Sequence, residues 1–195
     1  YQEYFERMTD RKSWGKPLSA LLGALKMQVE FGLPSIGGKD SMSGTFENIN
    51  VPPMLMAFGI TTVDAEQVIS PELKYEGNKL YLVKHTPLKN YMPDVEQLKA
   101  NWKYIHEQVQ EGTIVSGYAL GFGGLAEAIC KMSFGNGLDA KINFDEKELF
   151  NYGYGSILVE VEGELDYPEA VLIGEVTDGE ESELTINGVK FDLFD

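Results

Sequence analysis

Cysteine and histidine are scarce in this sequence, which has one cysteine and two histidines in 195 residues. The lone cysteine, Cys130, excludes an intrachain disulfide and zinc or redox motifs built on two cysteines, and it fits a reducing compartment such as the cytoplasm. Cys130 lies in a helical apolar pattern without a paired histidine, so we interpret it as a small buried side chain and not as a glutaminase nucleophile. His85 and His106 have no evident catalytic partner, and we interpret them as structural or solvated.

Positive charge is also scarce, with 16 Lys and Arg against 31 Asp and Glu and a formal net charge of −15. Nucleic acids and anionic membranes bind through clustered Lys and Arg, so neither is an expected partner. No apolar run approaches the ~18 to 20 residues of a membrane-spanning helix, and the N-terminus lacks the features of a signal peptide. Because the chain begins at Tyr1 and not at a methionine, we expect further residues upstream in the full-length protein.

The first part of the chain predicts one amphipathic helix and two strands. Apolar residues at helical spacing follow Pro17, whose missing N–H costs nothing in the first turn, so we predict a helix from Pro17 to Val29 that ends before Gly32. Ser35-Ile36 predicts a short strand. The largely apolar run from Met54 to Val63 is typical of a strand that is buried on both faces.

A polar, turn-rich stretch follows and indicates a domain boundary, which we place between residues 68 and 69. Beyond it, apolar spacing predicts helices over residues 95–109 and 125–132 and strands over residues 79–85, 113–118, 156–161, 171–176 and 183–186. Strands and helices alternate, so the predicted fold class is α/β, or α+β.

The most informative segment is Gly37-Gly38-Lys39-Asp40-Ser41-Met42-Ser43. Glycines allow a ligand to approach the backbone, a lysine can neutralise phosphate charge, and serine hydroxyls can hydrogen-bond phosphate oxygens. The segment is not a nucleotide P-loop, because Asp40 follows the lysine where that motif needs serine or threonine. On residue types alone, phosphate binding and a tight glycine turn with a solvated lysine stay equally open.

A second glycine cluster, Gly121-Phe122-Gly123-Gly124, lies between a predicted strand and a predicted helix. Backbone N–H groups at the start of a helix can bind an anion, but glycine is also favoured where a helix packs closely on a strand. The loop contains no acidic residue that could hold a metal. We therefore favour the packing interpretation.

Further motifs accompany the first glycine segment: Trp14-Gly15-Lys16-Pro17, Ala20 to Ala24, Val51-Pro52-Pro53, Gly123 to Ala128, and Leu149-Phe150-Asn151. Together with the highly specific Gly-Gly-Lys-Asp-Ser-Met-Ser string, they resemble the large, single-chain phosphoribosylformylglycinamidine synthases over essentially the whole chain. The resemblance implies an internal fragment from the second synthetase-like unit of that family. Residues 1–68 would be the C-terminal part of its N-terminal, ATP-binding sheet domain, and residues 69–195 its aminoimidazole-ribonucleotide-synthetase C-terminal-like α/β domain.

The resemblance also implies an activity. Such a ligase converts formylglycinamide ribonucleotide, glutamine and ATP, with Mg²⁺, into formylglycinamidine ribonucleotide in purine biosynthesis, using ammonia from a glutaminase domain of the same polypeptide. Position by position, it implies nucleotide binding by Gly37 and Gly38, a catalytic role for Lys39, and substrate binding by Asp40, Ser41 and Ser43. Without the other domains, we expect the isolated chain to be inactive.

The chain departs from the family pattern at the second glycine cluster. Where many relatives have His-Asp-x-Ser-Asp-Gly-Gly, residues 118–124 read Tyr-Ala-Leu-Gly-Phe-Gly-Gly. We expect no Mg²⁺ at Ala119 or Gly121, because neither side chain offers an oxygen ligand. This departure keeps a second hypothesis open, a non-catalytic scaffold unit with a degenerate nucleotide site. The Lys-Asp-Ser-Met-Ser string argues against aminoimidazole ribonucleotide synthetase or selenophosphate synthetase.

Overall fold

A computed structural model describes residues 1–178 and 182–193 of the chain. The chain divides into two compact units, Tyr1–Thr62 (unit 1) and Val63–Asp195 (unit 2). This division falls six residues before the predicted boundary between residues 68 and 69. The assignment of the two parts to the two synthetase-like domains stays a prediction.

Unit 1, which is described in full, contains one long helix and four short strands. They are β1 (Gln2–Tyr4), α1 (Arg11–Phe31), β2 (Thr45–Phe46), β3 (Ile49–Asn50) and β4 (Met54–Met56). Strand β1 pairs with β4 and β2 pairs with β3, both antiparallel. These ladders are short, so unit 1 has little regular structure around its helix.

Helix α1 begins six residues earlier than predicted because the chain supplies a cap before Pro17. The Asp10 side chain accepts a hydrogen bond from the N–H of Ser13 (2.8 Å), and the Ser13 hydroxyl accepts one from the N–H of Asp10 (3.0 Å). This capping box satisfies N–H groups that a helix start leaves free. The prediction that Pro17 opens the helix was therefore wrong, whereas the end before Gly32, which adopts φ 65°, is confirmed.

The apolar stripe that predicted α1 is mostly exposed. Only Ser13 and Pro17 of this helix are buried. The stripe residues are each between 47% and 71% exposed: Leu18, Leu21, Leu22, Leu25 and Val29. A contiguous apolar surface of this kind marks an interaction site more often than an ordinary protein surface.

Two strand predictions in unit 1 were wrong. Ser35-Ile36 has no strand pairing. The run from Met54 to Val63 forms a strand only over its first three residues, none of which is fully buried. Strand β4 has a single pairing partner, β1, so the residues beyond it lack the neighbouring strands and covering layers that a doubly buried strand requires.

The described residues of unit 2 form a seven-stranded sheet with two helices. Its elements are β5 (Lys79–Val83), α2 (Val95–Gln110), β6 (Ile114–Ala119), α3 (Gly124–Phe134), β7 (Asp139–Ile142), β8 (Ile157–Val161), β9 (Ala170–Thr177), β10 (Glu183–Ile186) and β11 (Val189–Asp192). The strand order is β11-β10-β7-β9-β5-β8-β6, with β7 and β10 parallel and the other neighbours antiparallel. All seven predicted elements of this unit are confirmed, while β7 and β11 were not predicted.

The core of unit 2 lies on both faces of the sheet. Residues of a strand alternate between faces, and β5 shows this directly: Leu80 and Leu82 belong to one buried cluster, Tyr81 and Val83 to another. Helix α3 covers the first cluster through Leu125, Ala128, Ile129 and Met132. Ile105 and Val109 of α2 pack against the second. The predicted α/β class is thereby confirmed.

A buried carboxylate ties the start of unit 2 to its sheet. Glu160 of β8 is fully buried. Its Oε2 accepts hydrogen bonds from the N–H of Lys74 (2.7 Å) and the Ser116 hydroxyl (2.9 Å). Its Oε1 accepts from the N–H of Tyr75 (2.9 Å) and from Asn78 Nδ2 (2.8 Å). Four donors compensate the desolvation of the charge and hold residues 74–78 against the strand.

We expect Glu160→Gln to lower the free energy of unfolding of unit 2 by about 1–3 kcal/mol, because an amide NH₂ would face donors and leave at least one of them unpaired. Urea denaturation should show a lower midpoint with an unchanged m-value. Glu162→Gln, at an exposed position two residues away, is the matched control and should change stability by less than about 0.5 kcal/mol. Equal effects of the two substitutions would contradict this role for Glu160.

Candidate functional site

The predicted site segment, residues 37–43, is extended chain that runs beside β1. The N–H of Lys39 donates to the Tyr1 carbonyl (3.1 Å), the N–H of Glu3 to the Lys39 carbonyl (2.9 Å), and the N–H of Ser41 to the Glu3 carbonyl (3.0 Å). The segment is therefore held by main-chain hydrogen bonds along its length. It is not the tight glycine turn that the residue types had left open.

Gly44, directly after this segment, shows why glycine is needed there. A Cβ on Gly44 would lie 2.3 Å from a Val51 methyl group and 3.0 Å from the Phe5 carbonyl oxygen. The N–H of Gly44 donates to that Phe5 carbonyl (2.9 Å). A side chain would force these chain segments apart, so Gly44 fixes the end of the segment by close packing.

Four of the predicted site residues line one cavity of unit 1, about 520 Å³ in volume. They are Gly37, Gly38, Lys39 and Asp40. The facing wall belongs to α1 and includes Leu21, Ala24, Leu25 and Gln28. Ser41 and Ser43 are not among the lining residues, and Ser41 is half-buried while Ser43 is exposed. The predicted nucleotide-binding and catalytic residues are consecutive in the chain, and the fold places them opposite α1 in one cavity.

Lys39 has the freedom that a phosphate-binding lysine needs. Its side chain is exposed, and its Nζ lies 3.5 Å from the Asp40 carbonyl oxygen. Within the described part of the chain it forms no ion pair with a carboxylate, unlike Lys16, which pairs with Glu6. The Lys39 ammonium group could therefore pair with a ligand phosphate without first breaking an ion pair with a described carboxylate.

Glu3 is a cavity residue that the sequence reasoning missed. It is only 5% exposed, and its Oε1 has no hydrogen-bond partner among the described residues. Buried carboxylates are normally paired or hydrogen-bonded, so an unpartnered one is a functional signal. Glu3 lies 37 positions before Asp40, and the only sequence signal was a charge in a short run of aromatic residues.

At the second glycine cluster, a carboxylate of the chain itself lies at the start of the helix. Glu127, in the first turn of α3, accepts a hydrogen bond from the N–H of Gly123 (2.9 Å) and forms an ion pair with Lys131 (2.6 Å). The hydrogen bond from Lys131, followed by that from Gly123, lowers the pKa of the Glu127 carboxyl below its ordinary value. This carboxylate occupies the position at the helix start where an incoming phosphate would bind.

Gly124 supports the packing interpretation of this cluster. It adopts φ +64°, and a Cβ there would lie 2.5 Å from the Asn151 carbonyl oxygen and 2.7 Å from that of Leu149. The helix start therefore approaches residues 149–151 so closely that only glycine fits. This is the role that we had favoured from sequence.

The remaining candidates are structural. His85 is buried, its Nδ1 donating to the Tyr154 carbonyl (2.9 Å) while its Nε2 accepts from the N–H of Asp94 (3.1 Å), which corresponds to a neutral imidazole. His106 is exposed on α2. Cys130 packs against the core, and burial raises the pKa of its thiol, which disfavours a reactive thiolate.

Within residues 1–178 and 182–193, no three or more His, Cys, Asp and Glu side chains gather in a way that could hold a metal ion. In the same residues, none of the helices has the length and apolar character needed to cross a membrane.

Comparison with known proteins gives a consistent set of relatives. The chain is 25% identical over 201 residues to the phosphoribosylformylglycinamidine synthase subunit PurL of Lactobacillus delbrueckii subsp. bulgaricus, an alignment that covers 89% of this chain and 27% of that protein. It is similar in structure to PurLQS from Thermotoga maritima, with a TM-score of 0.70, 12% identity and coverage of 98% of this chain and 36% of that one. No family model matches the chain.

The chain is similar in sequence and in fold to the phosphoribosylformylglycinamidine synthases. Two further synthase structures are similar: T. maritima PurL complexed with AMPPCP (TM-score 0.66, 12% identity, 98% of this chain and 36% of that one) and with FGAR (TM-score 0.64, 10% identity, 98% and 38%). At this identity the structural likeness establishes the fold, which is the synthetase-like α/β fold that the resemblance implied. The chain spans about a quarter, 27%, of the length of the curated synthase that it matches.

The packing role of Gly124 can be measured against a second glycine of similar backbone conformation. Gly124→Ala should lower the free energy of unfolding by about 2–5 kcal/mol, because it adds a backbone clash to the cost of a positive φ. Gly137→Ala, at φ +63° with no atom of the described residues within 4 Å of the added Cβ, should cost only about 1–2 kcal/mol. Chemical denaturation of both variants gives the difference, and equal losses would show that the clash is absent.

Proposed function

We propose that this chain forms part of an ATP-dependent ligase that converts formylglycinamide ribonucleotide to formylglycinamidine ribonucleotide in cytoplasmic de novo purine biosynthesis, with glutamine as the nitrogen donor. The observation that carries the proposal is the Gly37 to Ser43 segment. It presents two glycines, Asp40 and an exposed lysine along a ligand-sized cavity, and this lysine has no ion-pair partner among the described residues. The synthase relatives and the T. maritima PurL complexes with AMPPCP and FGAR support it.

In the proposed reaction, the amide oxygen of the substrate attacks the γ-phosphorus of ATP, and ADP leaves. Ammonia then attacks the activated carbon, and the bond to the phosphorylated oxygen breaks to release phosphate. Such chemistry depends on positioning and on neutralising phosphate charge. Gly37 and Gly38 allow the phosphates to approach the backbone, Lys39 neutralises the transferring phosphoryl group, and Asp40, Ser41 and Ser43 contact the substrate. Mg²⁺ accompanies the ATP.

The rest of the polypeptide is part of the same proposal. A glutaminase domain is needed for ammonia, because Cys130, the one cysteine, is half-buried with a raised pKa. The exposed stripe of α1, from Leu18 to Val29, is a surface that further domains of the same chain would cover. The chain alone would accordingly lack both synthase and glutaminase activity.

A second candidate is a non-catalytic scaffold unit, and the Gly121 to Gly124 loop favours it. The N–H of Gly123 is already bonded to Glu127, whose charge repels phosphate. Titration of the purified chain with ATP and Mg²⁺ separates the two candidates. Saturable binding that Lys39→Ala weakens supports the ligase site, whereas no binding supports a scaffold.

Lys39→Ala in the full-length protein should reduce kcat by on the order of 10² to 10³, with a smaller effect on KM. The lysine interaction strengthens as charge develops on the transferring phosphoryl group, so its loss is felt mainly in the transition state. Lys12→Ala removes another exposed lysine of unit 1 that does not line the cavity, and it should leave steady-state kinetics unchanged. Wild-type kinetics for Lys39→Ala would make the lysine a solvated surface residue.

Ser41→Ala should instead raise the apparent KM for the ribonucleotide while kcat changes little. A neutral hydroxyl contact contributes roughly 0.5 to 1.5 kcal/mol in the ground state and the transition state alike, which corresponds to about 2- to 12-fold in KM. Steady-state assays with varied ribonucleotide measure the effect. An unchanged KM would remove Ser41 from the substrate site.

A further inference from the structure

The pairing of β1 with residues 39–41 places two acidic residues at neighbouring positions on adjacent chain segments. A parallel bridge joins Gln2 to Lys39, and the Lys39 and Ser41 hydrogen bonds to β1 continue the same register. In this register Asp40 is the lateral neighbour of Glu3. Lateral neighbours on paired strands project from the same face, and the strands lie about 4.8 Å apart. Both residues line the cavity of about 520 Å³.

Among the described residues, Glu3 and Asp40 have no positively charged ion-pair partner. Glu3 is 5% exposed and its Oε1 is unpartnered, and neither carboxylate forms an ion pair with any Lys or Arg in the described part of the chain. Asp40 is exposed, whereas Glu3 is buried. A buried carboxylate without a partner costs folding free energy, and a second carboxylate on a neighbouring position adds repulsion. A charge arrangement that is unfavourable for the empty protein is expected where a cation binds.

We propose that Glu3 and Asp40 together bind one divalent metal ion, and that this ion is Mg²⁺ in the cell. Mg²⁺ prefers oxygen ligands and is commonly held by one or two carboxylates, with water and ligand phosphates completing an octahedron. The glycine segment and Lys39 line the same cavity, so phosphate oxygens could reach this ion. Asp40, which we predicted to contact the substrate, then acts through the metal ion.

The proposed metal site does not depend on the proposed function. The proposed function bears on it only because ATP would supply the phosphate ligands. Its probe is Mn²⁺, measured by electron paramagnetic resonance on the purified protein without nucleotide. Glu3→Gln and Asp40→Asn should each lose one equivalent of bound Mn²⁺ or bind it at least about 10-fold more weakly, the lower end of what even an outer-shell substitution costs. Mg²⁺ should displace this Mn²⁺. Glu30→Gln, on the exposed surface of α1 where Glu30 pairs with Lys26, is the matched control and should bind as wild type.

Thermal unfolding adds a readout that a purely structural role would not produce. Without metal, Glu3→Gln should unfold at or above the wild-type temperature, because it removes an unpaired buried charge. Added Mg²⁺ should stabilise the wild type and Glu30→Gln but not Glu3→Gln. If Glu3 were only structural, its substitution would lower the unfolding temperature in both conditions.

The inference is overturned if wild type binds no Mn²⁺ up to about 10 mM, well above the ~1 mM of weak sites for hard cations. It is equally overturned if both variants bind Mn²⁺ as wild type does. Parallel ATP titrations keep the two proposals apart. If the protein binds Mn²⁺ but not ATP, the metal site is supported and the proposed function is contradicted. If it binds ATP and both variants still bind Mn²⁺ as wild type does, the metal site is contradicted and the proposed function is supported.

Discussion

The carboxylate of Glu160 is the constraint on which the arrangement of unit 2 depends. A charge with no exposure to water is costly unless every lone pair is used, and here main-chain N–H groups, an amide and a hydroxyl use them. Those donors come from residues 74–78 and from β6, so one side chain joins three distant parts of the chain. It thereby sets where β5 can begin, and β5 is the strand whose alternate side chains supply both buried clusters.

The two glycine clusters show opposite uses of the same residue type. At Gly121 to Gly124 the glycines permit close packing, and Glu127 fills the helix start, so the chain satisfies its own polar groups. Along residues 37–43 the main chain is satisfied by β1, but among the described residues Lys39 has no carboxylate ion-pair partner and Glu3 Oε1 has no hydrogen-bond partner. Unsatisfied charge around a cavity, more than glycine content, is the feature that makes residues 37–43 the stronger candidate for a binding site.

Local pattern predicted unit 2 well because its elements bury their apolar faces within the same unit. The three-and-four spacing of α2 and the apolar runs of β5 and β8 correspond to real core positions. In unit 1 the same signals misled us: the start of α1 depends on the Asp10–Ser13 cap, and apolar residues after Met56 are exposed. The motif alone made Lys39 a candidate, and its role stays a prediction. Glu3 becomes informative only through pairing with a segment 37 positions away, which no local sequence pattern indicates.

The strand order of unit 2 also governs how newly made chains reach the folded state. Of the seven strands in this sheet, β5 leaves the ribosome first. Its residue Val83 pairs with Ile157 and Ala170, which lie 74 and 87 positions further along the chain. At about 5–20 residues per second, residues 80–83 wait roughly 4–15 s for their first partner strand. During that interval an apolar strand has two open edges, which is an aggregation hazard. Slower translation therefore lengthens the interval in which β5 is exposed to association with other chains.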